Sequence, residues 1–80
     1  MNIDVARHVI RALFRSGREL EDLIPLLKEN CETSEYEVYV KAIATALASI
    51  HLEIGNRITA SHPALEQEIE STIKKYGRYL

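Results

Sequence analysis

Apolar residues recur at three- and four-residue steps through most of the chain, the spacing that gives a helix one apolar side. The first such stretch runs from about Ile3 to Arg15. At about 100° per residue, Ile3, Ala6, Val9, Ile10 and Leu13 share one face, and Arg7, Arg11, Arg15 and Arg18 lie opposite with Asp4 and His8. Gly17 can end that helix in the left-handed conformation, and Ser16-Gly17-Arg18-Glu19 has the capping-box form that starts another. A second helix is therefore predicted from about Arg18 to Glu29, burying Leu20, Leu23, Ile24 and Leu27. Pro25 either kinks it or falls in the first turn of a helix that begins at Asp22.

Ser34-Glu35-Tyr36-Glu37 is a second capping box, so a third helix is predicted from about Glu35. No breaker follows before Gly55-Asn56, and the apolar spacing continues to Ile58, giving about 26 residues and roughly 39 Å. Tyr36, Val40, Ile43, Leu47, Ile50 and Ile54 form a seam at alternating steps of four and three, the spacing of helices that cross at a shallow angle. From Ala42 to Leu52 the one ionisable residue is His51, and Ala42, Ala44, Ala46 and Ala48 allow close backbone approach. Such a helix has no wet face and belongs at the centre of a fold. His62-Pro63 marks the last boundary, and a fourth helix is expected from Pro63 to about Tyr76, with Leu65, Ile69, Ile73 and Tyr76 inward and Gly77 as its stop.

The fold class that follows is all-α: a small four-helix bundle with a long central third helix, one domain over residues 1–80. Its composition supplies a core, since 46% of the residues are apolar. A single cysteine, Cys31, excludes an intramolecular disulfide and makes a reducing cytoplasm the expected compartment. No unbroken apolar run approaches the roughly 20 residues of a bilayer span, and Arg7, Arg11 and Arg15 interrupt any secretory core, so no membrane partner is expected.

The long third helix is about twice the length of the others, and its seam and alanine face exceed what three short helices cover. A second copy is the expected cover, so Tyr36, Val40, Ile43, Leu47, Ile50 and Ile54 are the candidate homodimer interface. Arg7, Arg11, Arg15, Tyr39, Tyr76 and Tyr79, with Arg78 beside them, are a candidate patch for another protein, the arginines setting orientation and the tyrosines anchoring. If the last two helices are antiparallel, Tyr76 and Tyr79 approach Tyr36 and Tyr39.

The same stripe, Arg7, Arg11, Arg15 and Arg18, also suits nucleic-acid phosphates. Against this, residues 1–18 carry +3 while Glu19 to Glu37 carry −6, and that acidic block repels a polyanion. Pairing of the arginines with those acids is the simpler use. No chemistry is indicated. His8, His51 and His62 lack i,i+4 metal partners apart from Asp4 beside His8, so neither a metal nor a cofactor is expected. Cys31 sits among Glu32 and Glu35, which raise rather than lower a thiol's pKa. Glu66, Glu68 and Glu70 are read as solubility charges. The expectation is a non-catalytic interaction or regulatory module, a homodimeric adaptor rather than an enzyme.

Overall fold

The computed structural model describes residues 1–79. They form an all-α fold with three helices and no strand among the described residues. Helix α1 is Ile3–Asn30. Helix α2 is one rod, Thr33–Ser61, made of an α-helix Thr33–Ser49, a widened π-helical turn Ile50–Gly55 and an α-helix Asn56–Ser61. Helix α3 is Pro63–Tyr76.

The chain thus makes three helices where the spacing predicts four, because the first two expected helices are one of 28 residues. Gly17 does not take the left-handed conformation, and Gly77 alone has a positive φ among the described residues. Gly17 is instead buried in the helix interior. A Cβ there would meet Leu47 Cδ2 at 3.5 Å, an ordinary van der Waals separation, so Gly17 lies at the contact of α1 with α2. Pro25 is accommodated inside α1 on its exposed side, where the carbonyl that loses its amide partner faces water. Asn2 caps the start, its Oδ1 accepting from the Val5 amide at 2.9 Å.

The pairing of Gly17 with Leu47 and of Phe14 with His51 makes α1 and α2 antiparallel. On α1, Ala6, Ile10, Leu13, Gly17, Leu20, Ile24 and Leu27 step by four and three, and every one is buried or half-buried. On α2, Tyr36, Val40, Ile43, Leu47 and Ile50 do the same. The two rows make a coiled-coil-like hairpin.

The expected capping box at Ser34 is not formed, since α2 begins at Thr33 with Glu32 at its N-cap and no side-chain cap bond, whereas the boundaries at His62-Pro63 and Gly77 coincide with the structure. His62, at φ −133° and ψ 74°, leaves helical geometry ahead of Pro63, and Gly77, at φ 79°, ends α3 with its amide donating to the Ile73 carbonyl at 2.7 Å. Helix α3 runs parallel to α1 along one side of the hairpin. Its length is about 21 Å, so it reaches only half of the two longer rods. The small core lies there: Ala6, Ile10, Ile58, Leu65 and Tyr79 are buried, with Val9, Leu13, Phe14 and Ile69 packed around them. Ile73 and Tyr76, expected inward, are 38% and 57% exposed because α3 leans on the hairpin through its first two turns and through Tyr79.

Beyond α3 the hairpin continues as two helices alone, which gives an elongated molecule of 45 × 25 × 15 Å. Its radius of gyration is 14.9 Å; a compact chain of this length has about 12 Å. By length and composition α2 is also long and apolar enough to cross a membrane, with mean hydropathy 1.3 over an 18-residue window of which 11% is buried. The core helix of a soluble protein meets the same description of length and composition but is mostly buried; α2, expected at the centre of the fold, is not.

Candidate interaction surface

Helix α3 and the residues after it close one side of the hairpin. There the Phe14 ring lies 6.0 Å from His51, edge-on, and 5.5 Å from Tyr79. Arg7 Nε donates to both carboxylate oxygens of Glu68, at 3.1 and 3.0 Å, and Arg7 Nη1 donates to Asp4 Oδ1 at 2.9 Å. The pair with Glu68 links α1 to α3, and Glu68, expected to be a solvated charge, is half-buried. Tyr79 O–H donates to the same carboxylate at 3.5 Å. Burial, and then the Glu68 charge, holds the Tyr79 phenol above its ordinary pKa.

The opposite side has no cover. On α1, Val5, Ala12, Ser16, Leu20, Leu23 and Leu27 follow one another at helical steps on the flank turned from Phe14. On α2, Tyr39, Ala42, Ala46 and Ile50 form the matching row, uncharged between Glu35 and Glu53 at its two ends. Val5 and Tyr39 are each 48% exposed and Leu23 is 42% exposed. Around the edges Leu26 and Val38 stand 56% and 65% exposed. This flank is an open apolar strip of the kind that marks an interface.

The area agrees. The chain exposes 5894 Å². A folded monomer of its 9.1 kDa is expected to expose about 4,900 Å², so the surplus is about 1,000 Å². A stable protein interface covers about 800 Å² on each partner.

Five of the six residues predicted for the dimer seam, Tyr36, Val40, Ile43, Leu47 and Ile50, are half-buried along the hairpin's internal contact, so much of their apolar surface is used against α1. Ile54 is 43% exposed, and Gly55 is buried in its place. The π turn explains this: closing its hydrogen bonds one residue further on takes more residues per turn, so the inward position falls one residue later than a 3.6-residue period gives. The exposed strip is the flank of that seam, and periodicity alone favours the seam because it is the most regular row.

The expected partner patch is divided. Arg7 is engaged by Glu68 and Asp4. Arg11 lies over the buried Tyr79, its guanidinium carbon 5.8 Å from the ring centre. Arg15 is exposed. Tyr76 is exposed, with Lys75 Nζ 5.3 Å from its ring centre. The structure does not bring the tyrosine pairs together: Tyr79 rests on Phe14, whereas Tyr36 and Tyr39 lie near the hairpin turn, roughly 20 Å along the rods.

Cys31 caps α1, its amide donating to the Leu27 carbonyl at 2.9 Å, and its thiol is held above the usual pKa by hydrogen bonding to Glu35, with desolvation adding. Among the described residues no group of three His, Cys, Asp or Glu side chains is placed to hold a metal ion. Comparison of the chain with protein families, curated proteins and solved structures returns no match.

Proposed function

We propose that this chain is a small non-catalytic interaction module, a helical adaptor that works by burying the open flank of its hairpin against protein, a second copy of itself being the first partner. The observation that carries this reading is the uncharged flank together with about 1,000 Å² of surplus surface, close to one side of a standard interface. A two-fold pair suits such a flank, because one face then serves as both halves of the contact. Two hairpins packed face to face would make the four-helix bundle that one chain does not. The regulatory role follows from the same property, since a surface that pairs with itself can be competed for. With a single thiol, a reducing cytoplasm is the setting this reading adopts.

Two other readings have weaker support. A nucleic-acid role for Arg7, Arg11, Arg15 and Arg18 loses Arg7 to Glu68, and Glu19, Glu21 and Asp22 follow one turn later. A membrane role for α2 has its apolar length in favour. However, α1 lies alongside α2, so the exposed Arg15, Arg18, Glu21 and Asp22 would have to enter hydrocarbon with it, at a cost of several kcal/mol.

Light-scattering mass across a range of chain concentrations tests the proposal, alongside Leu23→Glu. The expected result is a mass rising to twice 9.1 kDa for the wild type, with Leu23→Glu remaining at 9.1 kDa and keeping its helical circular dichroism. A wild-type mass of 9.1 kDa at every concentration overturns the dimer, and flotation of the wild type with lipid vesicles would support the membrane reading.

A further inference from the structure

On the side of α1 away from the open flank, four guanidinium groups meet at one cleft. Arg11, Arg15 and Arg18 approach from α1 and Arg78 from beyond the end of α3, with the Tyr79 ring as the fifth member of the wall. The cleft holds about 200 Å³, and among the described residues no acidic side chain lines it, while Glu21 lines the adjoining cleft with Arg18 and Arg78. Arg11 is already engaged with the Tyr79 ring. Arg15, Arg18 and Arg78 are exposed, and none forms an ion pair among the described residues.

The sequence alone aligns Arg7, Arg11, Arg15 and Arg18 as a stripe. Folding removes Arg7 from that set, by pairing it with Glu68, and adds Arg78, which is sixty residues from Arg18. What results is a concave site rather than a linear track. Arg15, Arg18 and Arg78 are drawn into no ion pair among the described residues, so their guanidinium donors remain for a bound anion. Guanidinium forks bind oxyanions through paired hydrogen bonds, which suits phosphate and carboxylate alike.

From this geometry we infer that Arg15, Arg18 and Arg78, in the cleft they share with Arg11, bind an oxyanion carried on a short peptide segment of a partner protein, either one phosphate or two neighbouring carboxylates. The size of the site favours a compact ligand. An extended polyanion leaving the cleft along α1 would run against Glu19, Glu21 and Asp22, whereas a peptide that presents its charge at one point would not. The site is separate from the open flank, so a dimer of the proposed kind would carry two such clefts.

Fluorescence anisotropy of the full chain with labelled Gly-Ser peptides of equal length tests this at about 50 and 150 mM salt. One peptide carries a single phosphoserine, one carries two adjacent glutamates and one is uncharged; a twelve-nucleotide single strand is the comparison polyanion. The expected result is binding of one or both anionic peptides and not the uncharged one, weakened at least about tenfold by Arg15→Glu with Arg78→Glu. The phosphoserine and glutamate arms distinguish the two sources of oxyanion. Lys28→Glu with Lys41→Glu makes the same change in net charge at the far end of the hairpin and should weaken binding less than about twofold. Arg18→Gln, a milder change, gives an intermediate loss and keeps the test readable if the double reversal disturbs folding. Equal losses from the two double variants, no binding of either anionic peptide at the lower salt, or tighter binding of the single strand than of the peptides would each overturn the inference.

Discussion

Leu47 lies against the bare backbone of Gly17, and a Cβ on that glycine would be 3.5 Å from Leu47 Cδ2, an ordinary van der Waals separation. The crossing of α1 and α2 therefore has room for a methyl group. Glycine inside a helix costs roughly 0.5–1 kcal/mol relative to alanine. Gly17→Ala should accordingly raise the urea-unfolding free energy by about that amount, while Gly17→Leu should lower it by overpacking the crossing. A loss of stability in Gly17→Ala would show that the helices are closer than this spacing allows.

Arg7 and Glu68 are separated by 61 residues in sequence and joined by two hydrogen bonds, which fasten α3 to the start of α1. Glu68→Gln keeps the shape of the side chain and removes its charge, and should lower the melting temperature by a few degrees. The pair is partly exposed, so the difference from wild type should shrink as salt is raised to about 1 M. An unchanged melting temperature at low salt would mean that α3 is held by Leu65 and Tyr79 alone.

How much of this was legible in the sequence depends on whether a feature is local. His62-Pro63 and Gly77 act through their own backbone angles, and both boundaries stand where the residues indicate. The row from Tyr36 to Ile50 reads correctly as a helix side because its period is that of an ordinary helix. Gly17 reads as a stop because glycine tolerates left-handed geometry, but it lies buried inside α1 against Leu47, thirty residues away, which no local signal announces. Ile54 falls outside the inward row because the π turn changes the period, and nothing in the 3.6-residue spacing announces that change. Glu68 reads as a solvated charge until Arg7 is brought to it, and Arg78 joins the arginine cleft only through the fold. The open flank was visible as surplus apolar surface, but its position required knowing which side α3 covers.

Cys31 gives a chemical check on the hairpin turn. Its thiol is held above the ordinary thiol pKa by the neighbouring Glu35 carboxylate and by desolvation, so less thiolate is present at a given pH. Alkylation by iodoacetamide at pH 8 should be slower in the folded chain than in urea, and Glu35→Gln should speed the folded-state reaction several-fold. Equal rates in wild type and Glu35→Gln would remove Glu35 as the cause.

Tyr79 makes stability depend on alkaline pH. Its phenol has a raised pKa, chiefly through burial, so the folded chain keeps the proton at pH values where the unfolded chain has lost it. Its contribution is complete below the unfolded value near 10 and is lost as pH rises through the higher folded value. Unfolding curves above pH 10 should therefore fall more steeply for wild type than for Tyr79→Phe, with the two differing little in slope at neutral pH. Parallel curves across the alkaline range would contradict the assignment.

The π turn at Ile50–Gly55 also bears on how this molecule can change over generations. A rod built on a repeating row of inward side chains should be intolerant of a gained or lost amino acid, because everything downstream would rotate out of place. Here the extra amino acid is taken up in one broadened loop of backbone, and Ile58 still arrives in the core beside Ile10 and Leu65. That location is consequently where a length variant of the chain has the best prospect of folding: shortening it by one should close the loop to ordinary pitch and return Ile54 to the inward row, leaving the distal half of the hairpin as it was.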